Sequence, residues 1–169
     1  VVLSGCLAGE VSQLLLRGNY EEAKACALKY DALFGRGNYF LEIQDHGIEE
    51  QQKINPMLIR LSKETGIPLV ATNDCHYISR DDCKMHDVLL CIQTGTTLDE
   101  ENRMRFSSEN FYIKSEEEMA SLFPYVPEAL ENSQKIADMC NMEFTFGKYH
   151  LPNFDVPDGM AHDEYLRKL

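Results

Sequence analysis

The sequence reads as an α/β fold: a partial barrel of parallel strands with helices between them, followed by a mostly helical extension. Three observations lead there. From Val1 to His76, short apolar runs alternate with stretches of helical periodicity. The last run, Ile67 to Thr72, is almost continuously apolar, as suits a strand buried on both faces. Each run also ends in polar, reactive residues: Ser4-Gly5-Cys6, Gln44-Asp45-His46 and Asn73-Asp74-Cys75-His76. In parallel α/β barrels, chemistry gathers at the C-terminal ends of the strands.

The elements follow in order. Val1 to Ser4 is a short β-branched run stopped by Gly5. Gly9 and Glu10 open a helix carrying Val11, Leu14 and Leu15, which stops near Gly18. Asn19 is placed to cap the next helix, where Ala23, Cys26, Ala27, Tyr30 and Leu33 recur at helical spacing as far as Gly35. Asn38 to Gln44 reads as a strand. A helix from about Glu49 to Glu64 puts Ile54, Leu58 and Leu61 on one face, with Gly66 closing it. Pro56 is expected to kink that helix or restart it, with Asn55 as the cap. The resulting order, β-α-α-β-α-β, predicts parallel strands joined by right-handed crossovers. Three strands cannot close a barrel, so further strands are expected to precede Val1.

Past His76 the pattern changes. Asp81 to Thr94 reads as a helix with Val88, Leu89, Cys91 and Ile92 apolar, and Gly95 to Arg105 as a loop. Phe106 to Lys114 reads as a strand or extended segment. Ser115 followed by Glu118 is a capping box that opens a short helix bearing Met119 and Leu122. Pro127 to Cys140 is amphipathic, with Leu130, Ala137 and Cys140 inward. Coil then runs to about Gly159, and a last helix begins near His162. The shift near residue 95 marks a candidate boundary, dividing 1–95 from 96–169.

With 169 residues, 44% of them hydrophobic and 26% charged, the chain can build a core for one domain or for parts of two. Its longest apolar stretch, Val88 to Ile92, falls far short of the roughly 20 residues that span a bilayer. The N-terminus has no basic region of the secretory type and no initiator Met, so an internal piece of a longer protein is expected. A net charge of -12 repels phosphate backbones, so any DNA grip of a parent protein should lie elsewhere. The 6 cysteines include no C-x-x-C pair, which excludes a zinc ribbon and a thioredoxin-type motif. Cys26, Cys91 and Cys140 fall on apolar helix faces, and reduced thiols in a cytoplasm are expected.

Asp74-Cys75-His76 is the sharpest local feature. Residues two apart in a strand point the same way, so Asp74 and His76 are placed to face one metal with a carboxylate oxygen and an imidazole nitrogen. The same tripeptide suits an Asp capping the next turn beside a packed His. Cys6, just ahead of a helix N-terminus, suits either a dipole-stabilised thiolate or an inert half-buried side chain. His46 reads either as a residue behind the ligands or facing the substrate, or as an exposed turn His. His86 is expected to make a structural hydrogen bond, and Glu10 to favour its helix dipole. Phe and Tyr between 106 and 125 read as packing anchors, because few basic residues interleave with them.

Taken together, these segments resemble a family. Leu3-Ser4-Gly5-Cys6-Leu7-Ala8-Gly9-Glu10 and Val70-Ala71-Thr72-Asn73-Asp74-Cys75-His76-Tyr77 are similar to two late motifs of the PHP domain in bacterial DNA polymerase III alpha subunits. So, in order, are His86 to Gly95, Phe111 to Ser115 with Glu117-Glu118-Met119, and Pro127 to Ser133 with Ile136-Ala137 and Cys140. Leu151-Pro152-Asn153-Phe154, Pro157 and Tyr165-Leu166 resemble the lead-in to the polymerase core. The resemblance implies the later part of a PHP-type βα barrel over 1–95 and a connecting segment over 96–169. It implies Cys6, Asp74 and His76 as metal ligands, with Zn²⁺ or Mn²⁺/Mg²⁺ at the PHP site of the full protein and Mg²⁺ for polymerisation.

The same resemblance implies template-directed DNA synthesis by the parent, and either a 3′-5′ exonuclease or a structural role for the PHP site. The earlier PHP ligands and the polymerase aspartates are not in this chain. The segment alone is therefore expected to be inactive and to hold little or no metal. The implied partners are primer-template DNA, deoxynucleotides and other replisome subunits including the sliding clamp, with no membrane. Self-association of the segment through open strand edges is a further expectation. A stand-alone PHP phosphoesterase, or a scaffold for docking, remain the alternatives at this point.

Overall fold

The computed structural model describes residues 1–152 and 154–169; Asn153 of the resemblance lies outside them. Three strands form one parallel sheet in the order β1 (Val2–Leu3), β2 (Tyr39–Ile43), β3 (Leu69–Ala71). Helices α1 (Glu10–Leu16) and α2 (Tyr20–Phe34) join β1 to β2, and α3 (Glu49–Thr65) joins β2 to β3. The α/β alternation read from periodicity is therefore present, with parallel pairing as expected.

Strand alternation sorts the side chains. Tyr39, Leu41 and Ile43 of β2, with Leu69 and Ala71 of β3, face the helices. They meet Val11 and Leu15 of α1, Ala23, Cys26 and Ala27 of α2, and Ile54, Leu58 and Leu61 of α3 in one apolar cluster. Each fully buried Leu or Ile there contributes about 1.5–3 kcal/mol by leaving water. Phe40 and Glu42 of β2 point to the opposite face of the sheet, in register with Leu3 and Val70.

Pro56 neither ends nor restarts α3, which runs unbroken from Glu49 to Thr65. Pro56 and Gln52, the residue whose carbonyl Pro56 has no N–H to pair with, both stand on the exposed side of α3. Asn55 is not a cap either: its buried amide donates to the Gln44 carbonyl at the end of β2 (3.0 Å). Leu33, expected inward on α2, is exposed.

After β3, a turn of 3-10 helix at Arg80–Asp82 leads into α4 (Cys83–Thr94). Only Leu90 and Cys91 of α4 are buried, so Val88, Leu89 and Ile92 form an outer apolar face. Residues 106–114 run without a strand, apart from a bridge between Tyr77 and Tyr112. The Ser115 capping box opens α5 (Glu116–Leu122) as expected, its hydroxyl accepting from Glu118 N–H and the Glu118 carboxylate from Ser115 N–H.

Helix α6 (Pro127–Met139) lies along β3 with its first turns. Asn132, buried, donates to the Leu69 carbonyl (2.7 Å), and Ala129 is buried with Val126 and Phe123 in the strand-helix cluster. Ala137 and Cys140 are exposed, because the second half of α6 leaves that contact. The change of character near residue 95 thus ends the α/β alternation but not the core. A 3-10 turn at Pro157–Gly159 and α7 (His162–Lys168) complete the chain.

Candidate metal centre

Two strand ends build the site. After β1, Ser4 N–H donates to the Phe40 carbonyl (2.9 Å), and the Ser4 hydroxyl accepts from Glu42 N–H (2.8 Å), extending the ladder. Gly5 then takes φ +80°, a left-handed conformation that suits glycine, and its N–H donates to Glu42 Oε2 (3.1 Å). Gly9 N–H closes back on the Cys6 carbonyl (2.9 Å), so Ser4 to Gly9 is a tight loop with the Cys6 thiol exposed.

At the end of β3, Thr72 N–H still donates to the Ile43 carbonyl (3.1 Å), but Asp74 turns the chain with φ +40°. Asp74 and His76 are therefore not brought together by strand alternation, as expected from the sequence, but by a turn. His76 N–H donates to the Phe111 carbonyl (2.8 Å), and its ring Nδ1 pairs with the Asp74 carbonyl (2.8 Å). A carbonyl only accepts, so Nδ1 carries a proton, and in the neutral ring the lone pair is then on Nε2. That is the tautomer in which an imidazole binds a metal.

Cys6, Asp74 and His76 line one pocket of about 290 Å³, with Gln44, Gln51, Arg105, Phe106 and Phe111 among the other walls. The set offers sulfur, oxygen and nitrogen donors; the thiol favours a softer ion such as Zn²⁺, while Mn²⁺ or Mg²⁺ suit oxygen-rich positions. Among the described residues, no three His, Cys, Asp or Glu side chains stand close enough to hold a metal ion. The structure places the three expected ligands around one space without closing them into a finished centre.

His46 is fully buried (0% exposed), so it neither faces a substrate nor sits in an open turn. Its ring stacks on Phe111, with centroids 4.1 Å apart and an angle of 8°. Nε2 donates to the Asn73 carbonyl (2.8 Å), and Nδ1 accepts from Gln51 Nε2 (3.0 Å). Asn73 is also held by Lys114 Nζ at its side-chain oxygen (2.8 Å), while its own amide donates to the Tyr112 carbonyl (2.5 Å). Burial pushes the Lys114 ammonium below its usual range. His46 thus supports the residue next to Asp74 from below.

His86 makes no hydrogen bond of its side chain among the described residues. Its ring stands edge-on to His76 (5.5 Å) and to Phe106 (4.9 Å). Burial, with the neighbouring His76, pushes its pKa down. Arg103 grips both oxygens of Asp87 (2.5 and 2.7 Å), pinning the loop after α4 and holding the Asp87 carboxyl below the usual carboxylate range. Glu10 accepts from the Tyr30 hydroxyl (2.5 Å) in the first turn of α1.

Sequence reasoning missed Glu42, Gln51, Arg105 and the pairing of Phe106 and Phe111 with the histidines. Glu42 had a readable signal, since a Glu between Leu41 and Ile43 alternates onto the face away from the core. Nothing local marks Arg105 or Phe111, which reach the pocket from a loop distant in sequence.

Comparison with known proteins now separates the readings. The PHP domain family matches residues 1–46. Over 170 residues, the chain is 45% identical to DNA polymerase III subunit alpha of Treponema pallidum (strain Nichols), covering 100% of the chain and 14% of that protein. This chain belongs to the DNA polymerase III alpha-subunit family. The subunit of Deinococcus radiodurans is 45% identical over 173 residues, with 99% of the chain and 13% of the relative covered. That of Thermus aquaticus is 39% identical over 175 residues, covering 100% of the chain and 14% of the relative. The likeness to polymerase III alpha subunits thus runs through α4 to α7 as well as the strands. No helix among the described residues is long and apolar enough to cross a membrane.

Proposed function

We propose that this chain is one stretch of a replicative DNA polymerase III alpha subunit, a cytoplasmic enzyme that extends primers along a template by nucleotidyl transfer. Residues 1–95 form the later part of its PHP domain, and 96–169 connect toward the polymerase core. For primer extension, the primer-template duplex, deoxynucleotides and other replisome subunits such as the sliding clamp meet the parent protein outside this acidic segment, which only a DNA 3′ end would enter.

The pocket at the strand ends is part of the PHP metal site. Cys6 Sγ, an Asp74 carboxylate oxygen and His76 Nε2 hold Zn²⁺ or Mn²⁺/Mg²⁺ together with ligands supplied from outside this stretch. Metal bound there supplies an activated water and neutralises charge on a scissile phosphate. Arg105 lines the same pocket, and its guanidinium bonds the Glu101 carbonyl (3.0 Å) and no carboxylate among the described residues. It brings positive charge toward the phosphate of a DNA 3′ end. Phe106 and Phe111 wall the His76 ring and fix its plane.

One observation carries this reading: side chains from two separate strand ends line one pocket, with the His76 proton on the nitrogen that faces the Asp74 carbonyl. The experiment is Asp74→Asn in the full-length protein carrying this segment. Metal-dependent release of nucleotides from 3′ ends is expected to fall by about 10–100-fold, with primer extension retained. Unchanged nucleotide release at unchanged stability would leave the pocket as a structural feature.

A further inference from the structure

We propose that Glu42 is a positioning residue: its one carboxylate ties the loop that carries Cys6 to the strand end that carries Asp74 and His76. The inference rests on the metal reading of the pocket. It starts from the place of Glu42 in the middle strand, on the face of the sheet away from the helices.

The two oxygens are divided between the neighbouring strands. Oε2 accepts the Gly5 N–H (3.1 Å), the peptide immediately before Cys6. Oε1 accepts the Thr72 hydroxyl, two residues before Asp74, and the Gln44 amide (2.9 Å). The main chain adds a fourth tie, as Glu42 N–H donates to the Ser4 hydroxyl (2.8 Å). β1 contributes only Val2–Leu3 to the sheet. Beyond the Ser4 N–H to Phe40 bond, the loop is otherwise held from its own side, by Gly9 N–H on the Cys6 carbonyl and the Gln13 amide on the Leu7 carbonyl.

The side chain at 42 must accept on both ends. Glutamine is nearly the same shape, but its NH₂ would meet either the Gly5 N–H or the Gln44 NH₂, both of which can only donate, even if the Thr72 hydroxyl turns to accept. A donor facing a donor leaves both unsatisfied in a part-buried setting. The bonds then continue beneath the pocket: Gln44 Nε2 also donates to the Thr72 hydroxyl (3.0 Å), Gln51 Nε2 reaches Gln44 Oε1 (3.4 Å), and Gln51 and His46 lead on to Asn73. Connected polar groups of this kind hold one geometry when every member is satisfied. Glu42 is where the connection crosses to the Cys6 loop.

The experiment uses the full-length protein carrying this segment, as wild type and as Glu42→Gln, with two readouts. Co²⁺ titration follows the thiolate-to-metal absorption band, which reports Cys6 directly. Hydrogen exchange of the metal-free protein follows the Gly5 amide. Glu42→Gln is expected to stay folded, lose about 10–100-fold in Co²⁺ affinity with a weaker thiolate band, and exchange Gly5 on the order of tenfold faster. Folded Glu42→Gln protein in which either the Gly5 rate or the Co²⁺ affinity is unchanged overturns the proposal.

A wild type that takes up no Co²⁺ sinks the metal reading instead, and Gly5 exchange then decides alone whether Glu42 holds the loop. If Glu42→Gln does not fold, Thr72→Val removes the hydroxyl that bonds Glu42 and Gln44 on the β3 side and leaves the Gly5 bond in place. Weaker Co²⁺ binding in Thr72→Val, restored in Thr72→Ser, supports the proposal; equal binding in both overturns it.

Discussion

Phe123→Ala is expected to lower the stability of the chain by about 3–5 kcal/mol, the cost of emptying a fully buried aromatic site. Phe123 is 1% exposed and lies between α5 and α6, yet it packs in the same cluster as Leu41 and Ile43 of β2 and Leu58 of α3. Val126 and Ala129 follow it in, and Asn132 bonds the β3 backbone. A loss of that size is a large part of the roughly 5–15 kcal/mol that holds a domain folded. Urea unfolding of the 169-residue chain measures it. A loss under about 1 kcal/mol, the range of a side chain at a loose contact, would mean that residues after 95 fold apart from the sheet.

Gly9→Ala is expected to damage the Cys6 loop without any help from backbone strain. Gly9 has φ -63° and ψ 148°, which alanine adopts freely. The obstacle is contact: an added Cβ would stand 2.3 Å from the Ser4 carbonyl oxygen and 3.1 Å from that of Cys6. Both are main-chain atoms, so no side chain can swing aside, and the loop itself must open. Overpacking of this kind costs about 1–3 kcal/mol. Because Ser4 and Gly5 are the residues bonded to Glu42, the displacement moves Cys6 away from Asp74 and His76. A lowered unfolding midpoint together with weakened thiolate ligation of Co²⁺ is the expected pair of results. Wild-type values for both would show that the loop tolerates the methyl group.

Much of the fold was legible because local patterns and tertiary packing agree. The helical spacing of Ala23, Cys26 and Ala27, the buried run before Thr72 and the Ser115 capping box all appear where periodicity and caps put them. The errors have physical causes outside the local window. Pro56 breaks nothing because its face of α3 is wet, while Asn55 is drawn inward by the Gln44 carbonyl. Ala137 and Cys140 sit on an apolar stripe that the structure leaves uncovered, since α6 touches β3 only with its first turns. A hydrophobic stripe states what can be buried, not what another element reaches.

The site shows the same division. Cys6, Asp74 and His76 were readable as polar ends of strands, and they line one pocket. The route by which Asp74 and His76 meet was not, because the left-handed turn at Asp74 lies between residues held from far along the chain, Asn73 by the Tyr112 carbonyl and His76 by that of Phe111. The burial of His46 was equally hidden, since its stacking partner Phe111 lies in a loop far along the chain. Glu42 was open to view in the alternation of β2, and its role emerges only when Gly5 and Thr72 are seen on either side of it.

The most direct measurement is metal content by mass spectrometry of the full-length protein carrying this segment, equilibrated with Zn²⁺ or Mn²⁺ and desalted, beside its Asp74→Asn/His76→Ala variant. Metal retained by the wild type and lost from a folded variant is the expected result. Equal metal in the two, or none in either, would contradict a metal centre at Cys6, Asp74 and His76.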